Sequence, residues 1–226
     1  LTISGSGAVD ITISDEEGCG IFSSGALSAQ GGSVTVTATG SNSCGVSAAS
    51  VTVNGGTVHT QGHFIGLLSR GAVSVDAGSL TGQGGVGLFS MTTLSVTGGA
   101  AAGTSEGSVD DGYSFGVYVL ETLSITGGSL TGTGVEAGIA AAGDMAISGS
   151  STVAATGTET TGRSYGVAAQ GNVTVTDAPT LTATGNTAGM ELAEGKLFAL
   201  NGAVYSLDGT TVKVEAGQAA QGLTPV

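Results

Sequence analysis

The chain has 226 residues, with 17 Asp and Glu against 4 Lys and Arg, and a formal net charge of −13 at pH 7. Charged residues are 9% of the chain, against about 25% in an ordinary soluble domain, and 43 positions are Gly, two are Pro and none is Trp. Collagen is excluded because Gly does not recur at every third position. Acidic disorder is excluded by regularly spaced Val, Ile and Leu and a mean hydropathy of +0.36. Four basic residues cannot neutralise a phosphate backbone, so nucleic acid is not an expected partner. No apolar run approaches the roughly 18–20 residues of a membrane-spanning helix.

The chain opens on Leu1-Thr2-Ile3 without a basic n-region, so a secretion signal is expected to be removed or to lie upstream. It also opens in mid-repeat, as a piece of a longer surface protein would. From there one phrase recurs: a small or apolar residue, Gly, then an apolar residue. It reads Cys19-Gly20-Ile21, Cys44-Gly45-Val46, Ile65-Gly66-Leu67 and Val86-Gly87-Leu88, then Phe115-Gly116-Val117, Ala137-Gly138-Ile139, Tyr165-Gly166-Val167 and Ala188-Gly189-Met190. The central glycines are 21 to 29 residues apart, a period that signals a solenoid.

Each unit holds two further alternating stretches, such as Leu123-Ser124-Ile125-Thr126 and Leu130-Thr131-Gly132-Thr133, joined by a Gly-rich turn such as Gly127-Gly128. Period-two alternation describes half-buried strands. The glycines then serve a turn with φ > 0 or a close backbone approach. Stacked coils would form inward ladders, one of Ile3, Val53, Val75, Val96, Ile125, Ile147 and Val175, another of Ile21, Val46, Leu67, Leu88, Val117, Ile139 and Val167. The expected fold is all-β: a single-stranded, right-handed parallel β-helix of about eight coils over residues 1–195. Right-handedness follows from the absence of a strict six-residue apolar beat. Residues 196–226 change pattern and read as a C-terminal β cap, a hairpin turning at Asn201-Gly202 followed by a strand from Thr211 to Val214.

Insertions collect just before the central glycine, so the variable loops should share one edge, where repeat proteins often place binding loops. Asp15-Glu16-Glu17, Glu106, Asp110-Asp111, Glu136 and Glu159 all fall there. A solvated acidic edge that aids solubility explains them; calcium is the alternative, with Glu106, Asp110 and Asp111 as candidate ligands. Asp110, Asp111 and Tyr113 are the candidate ligand-binding residues, and Phe64, Phe89, Tyr113 and Tyr118 would group near this edge. Cys19 and Cys44 hold matching places in adjacent coils, either as two buried thiols or as a disulfide; a zinc site lacks two ligands. His59 and His63 are roughly 13 Å apart on an extended strand and cannot share a metal.

Catalysis is not expected. A β-helical polysaccharide lyase or hydrolase would need a basic residue beside its substrate or a facing carboxyl pair. The basic residues are only Arg70, Arg163, Lys196 and Lys213, and Asp110 and Asp111 are adjacent, so their side chains diverge. An ice-binding threonine ladder is broken at His59 and Ala154, and Thr is accounted for by its strand propensity.

The phrase Leu123-Ser124-Ile125-Thr126-Gly127-Gly128-Ser129-Leu130-Thr131 resembles the Gly/Thr-rich β-helical repeats in large surface proteins of gut-dwelling anaerobic bacteria. The resemblance covers residues 1 to about 195. It implies an extracellular, non-catalytic, adhesin-like or carbohydrate-binding role, with a host or cell-surface glycan or protein as partner and no cofactor unless calcium. Asp110-Asp111-Gly112 is similar to the Asp-Asp-Gly phrase of β-helical polysaccharide-binding proteins that use calcium, matching it once.

Overall fold

A computed structural model describes residues 1–107, 114–215, 218 and 220–226. The described residues form strands and no helix. They wind as a parallel β-solenoid of about eight coils, each coil giving one strand to each of three faces. Face 1 contains short strands such as Leu94–Val96 and Leu123–Ile125, face 2 longer ones such as Ala100–Ser105 and Ser129–Gly134, and face 3 the strands that carry the central glycines. The strands Ser50–Gln61 and Val73–Gly84 run across both face 1 and face 2, with a bulge in their pairing between Val53 and Thr57.

The expected ladders are present in register. On face 1, Ile3 pairs with Ala29, Ala29 with Val53, and the row continues through Val75, Val96, Ile125, Ile147 and Val175 to Leu200. On face 3 the inner row runs from Ile21 through Val46, Leu67, Leu88, Val117, Ile139 and Val167 to Met190. Both rows join one core in which Val53, Leu67, Ile125 and Ile139 are fully buried. Removal of one such side chain from water is worth about 1.5–3 kcal/mol, and only stacking buries both neighbours of a rung.

The glycines divide by physical cause. The turn from face 1 to face 2 uses Gly with positive φ, for example Gly128 at 67°, a conformation that a Cβ penalises. The central glycines are not in that region. They lie where faces 2 and 3 converge, and a Cβ on Gly116 would meet the backbone nitrogen of Thr133 and the carbonyl oxygens of Gly138 at 2.6 Å and Gly103 at 2.7 Å. Gly103 is itself an inward residue of the strand Ala100–Ser105 and part of this seam, not of the loop that follows.

At the C-terminal end, Phe198–Leu200 pairs in parallel with Val173–Val175, which adds a ninth rung to face 1. The chain then reverses at Asn201-Gly202, both with positive φ, as a type I′ hairpin requires. Ala203–Leu207 returns antiparallel to Phe198–Leu200, and Thr211–Val214 lies antiparallel on Thr180–Thr184 of face 2. Face 3 receives no ninth strand among the described residues. None of those residues forms a helix long and apolar enough to cross a membrane.

Candidate functional site

The outer surfaces of the three faces differ in chemistry. Face 1 presents Ser28, Thr52, Ser74, Ser95, Ser124 and Thr174. Face 2 presents Thr35, His59, Thr81, Ala102, Thr131, Ala154 and Thr182, an interrupted threonine row. Face 3 is apolar outside as well as inside. Its alternation breaks at the central glycine, so that Val86 and Phe89 face outward while Leu88 and Ser90 face inward.

Two outward rows result. The first follows Cys19, Cys44, Ile65 and Val86, then Phe115, Ala137, Tyr165 and Ala188. The second follows Phe22, Ser47, Leu68 and Phe89, then Tyr118, Ala140, Ala168 and Glu191. Between them lies a second apolar cluster, separate from the core, in which Ala137, Ala140 and Tyr165 are buried against Phe115 and Tyr118. Phe89 and Tyr118 stack with centroids 5.2 Å apart and planes 13° apart, and Phe115 leans on Tyr118 at 5.0 Å and 35°. Such aromatic pairs contribute about 0.5–1.5 kcal/mol beyond burial.

Two of the clefts among the described residues flank these rings. One, of about 300 Å³, is lined by Phe64, Ile65, Val86, Phe89, Tyr118 and Leu120, so three of the four aromatics expected to group do so. The other, of about 390 Å³, lies between Phe115 and Tyr118 on one side and Glu191 and Glu194 on the other. Tyr165 borders that region; burial, then the Glu191 charge, pushes its phenol above the ordinary range, with Arg163 acting in the opposite sense.

The loops between faces 2 and 3 stack along one corner. Asn42 N donates to the carbonyl of Glu16, Glu136 N to that of Ser114, and Glu159 N to that of Val135. Their acidic side chains therefore share an edge. Asp110, Asp111 and Tyr113 lie outside the described residues. Glu106 borders a corner cleft of about 490 Å³ with Asn42, His63 and Phe64. Among the described residues no three His, Cys, Asp or Glu side chains are close enough to hold a metal ion. Glu159 is instead satisfied locally. Its Oε1 accepts from Thr161 N and Thr161 Oγ1 at 2.8 Å, Thr160 N at 2.9 Å and Gly162 N at 3.2 Å. The Thr161 bonds first, then the others, hold the carboxyl down to about 2.

Cys19 and Cys44 are direct register partners and both are free thiols. Burial, then the Cys19 thiol, pushes the Cys44 thiol well above its usual range. Arg70 clamps three coils: Nη2 donates to the carbonyl of Ser23 at 2.7 Å, Nη1 to Ser47 Oγ at 3.0 Å, and its guanidinium lies 5.3 Å from the Phe22 ring centroid.

Residues absent from the sequence-level expectation are Phe115, Ala140, Ala168 and Glu191, together with the corner serines. Ser43 Oγ donates to the carbonyl of Ala38 and accepts from His63 N, and Ser164 Oγ donates to the carbonyl of Glu159 and accepts from Asn186 N. A signal for the second outer row was present. The residue two after the central glycine is Phe22, Leu68, Phe89 and Tyr118 in four coils, where strict outward alternation would place a polar residue. Comparison with protein-family models, curated proteins and solved structures gave no match.

Proposed function

We propose that this chain is a non-catalytic extracellular module, structural and adhesive, in which a stiff β-solenoid offers face 3 to a protein partner. The carrying observation is the apolar, aromatic outer surface of face 3 beside two Ser/Thr-rich faces. A solenoid needs apolar residues inside, and nothing in its stacking requires Leu68, Phe89 and Tyr118 outside. Exposed apolar patches with such contrast mark interaction surfaces. Ring orientation supports a protein over a sugar. Phe89 and Tyr118 lie nearly parallel one coil apart, so each spends a ring face on the other, whereas a sugar platform needs that face open.

Engagement of the basic residues supports the non-catalytic reading. Arg70 is the intercoil clamp and Lys213 lies 2.8 Å from Glu215 in the C-terminal strands, so neither stands free beside an acidic pair. The likeness of the Leu123–Thr131 phrase to bacterial surface repeats supports a cell-surface location. A calcium-assisted polysaccharide site is the alternative, carried by Glu106, which borders the corner cleft, with Asp110 and Asp111 as its further candidate ligands in the sequence.

The test is binding of the purified chain to arrays of extracellular-matrix and cell-surface proteins and to a glycan array, with and without millimolar CaCl₂. The expected result is saturable binding to a purified protein, lost in a Phe89→Ser, Tyr118→Ser variant that is still cooperatively folded at the assay temperature. Calcium-dependent glycan binding indifferent to that variant would establish the alternative instead.

A further inference from the structure

Resting on the reading of face 3 as a protein-docking surface, we infer that the cleft between Tyr118 and Glu191 is a receptor for a lysine side chain of the partner. The second outer row carries the argument. Along successive coils it reads Phe89, Tyr118, Ala140, Ala168, Glu191. Large side chains stop at Tyr118, two alanines follow, and a carboxylate ends the row. Tyr118 and Glu191 are three strand steps apart, roughly 14 Å. Ala140 and Ala168 therefore floor a notch with an aromatic wall at one end and an acid at the other. The notch is the cleft of about 390 Å³, and its charged lining is Glu136, Glu191 and Glu194 without one Lys or Arg.

That order matches a long side chain with an apolar stem and a cationic head. A lysine has a four-carbon apolar stem and a compact ammonium. Its stem would lie on Ala140 and Ala168 beside the Phe115 and Tyr118 rings, and its ammonium would meet Glu191. A neutral apolar side chain would gain nothing from that carboxylate, and an acidic one would be repelled by three carboxylates on a chain of net charge −13. The chain shows the same preference internally. Arg163 extends to within 4.0 Å of Glu191, with the two side chains 79% and 47% exposed. An open pair of that kind is weak, so an incoming ammonium can replace it.

The experiment is an amide-resolved NMR titration of the whole chain with Nα-acetyl-lysine methylamide, with Nα-acetyl-norleucine methylamide as the uncharged control. Saturable shifts are expected at Ala140, Ala168 and Glu191, with at least tenfold weaker binding of the norleucine compound. Glu136→Gln with Glu191→Gln should weaken lysine binding at least fivefold. Ala168→Leu, which fills the floor and leaves every charge in place, should abolish the localised shifts. Each variant's melting temperature establishes that it is folded. Equal binding of the two compounds, shifts scattered over the acidic surface, or indifference to Ala168→Leu would overturn the inference. The parent reading fails separately: lysine binding in the notch, with no protein captured through Phe89 and Tyr118, would remove the docking face and keep the receptor. Protein capture through Phe89 and Tyr118 with a silent titration would do the reverse.

Discussion

Substitution of Gly116 tests the seam between faces 2 and 3 most directly. Its φ is ordinary, so backbone strain is not the obstacle; space is. The carbonyl oxygens of Gly138 and Gly103 would lie about 0.7–0.8 Å inside ordinary contact at 3.4 Å from a new Cβ, and Thr133 N presses from a third side. All three atoms are backbone in hydrogen-bonded strands, so no side chain can swing away. Overpacking costs about 1–3 kcal/mol where side chains can adjust, and a site walled by backbone belongs at the top of that range. At about 3 kcal/mol, and about 2–4 °C per kcal/mol for a chain of this size, the melting temperature should fall by about 6–12 °C. Gly116→Ala already supplies the offending atom and should lose most of this, with Gly116→Val lower still. Thr131→Val, at an exposed position of face 2, should move it by no more than about 2 °C, within the usual ±0.5 kcal/mol for surface changes. Gly25→Ala supplies the opposite control: a Cβ there meets nothing within 4 Å, so the loss of unfolded-state freedom should leave stability unchanged or raise it by about 0.4–1 kcal/mol. Calorimetric melting of the four variants decides the matter. Equal melting temperatures for Gly116→Ala and Thr131→Val would refute the close-approach argument.

Two further outcomes follow from titrating groups. The raised Cys44 thiol holds little thiolate at pH 8, so iodoacetamide should modify it at least about tenfold more slowly than free glutathione; equal rates by mass spectrometry would contradict the upward shift at this half-buried position beside Cys19. The depressed Glu159 carboxyl has the opposite sign: its folded value of about 2 lies below the roughly 4.3 of an unconstrained Glu. Its ordering of residues 159–162 is therefore complete above about pH 4 and lost as pH falls through 2. The Thr161 amide resonance should titrate with a midpoint near 2, and a midpoint near 4 would show that the carboxyl is not held.

How much was legible in the sequence depended on whether a position repeats. Ile21, Val46, Leu67 and their successors were readable as one ladder because the glycine before each marks the same place in every coil. Cys19 and Cys44 could be paired for the same reason. The φ > 0 role and the close-approach role of glycine could not be told apart in sequence, since both simply exclude Cβ; the paths of Gly128 and Gly116 separate them. Phe198–Leu200 belonged to the changed C-terminal pattern, yet it completes a face-1 rung, because pairing direction is set by where the preceding coil ends and not by the local apolar pattern. The outer aromatic row was partly visible in Phe64, Phe89 and Tyr118. Phe115 was hidden because period-two counting reverses its sense at the central glycine, and Glu191 because an acid at an outward place is ordinary until the stacked row sets it beyond Ala140 and Ala168.

Face 3 also departs from the other two faces in how its outer rows change along the axis. In a stacked repeat, a row that is uniform along the axis is answering the fold: the inner rows are Val, Ile and Leu because each rung is buried by the next. The outer row of face 1 is Ser and Thr over most of its length because a solvated strand surface asks no more. The second outer row of face 3 is neither uniform nor polar. It passes from Leu68 through two stacked rings to two alanines and an acid, within six coils that share one backbone register. Stacking supplies no reason for those changes in size and charge, because each of these residues occupies an equivalent place on an equivalent strand. On the proposed docking reading, a surface that steps from aromatic to bare to anionic suits a partner that steps from apolar to cationic, and the paired lysine and norleucine titrations measure that complementarity.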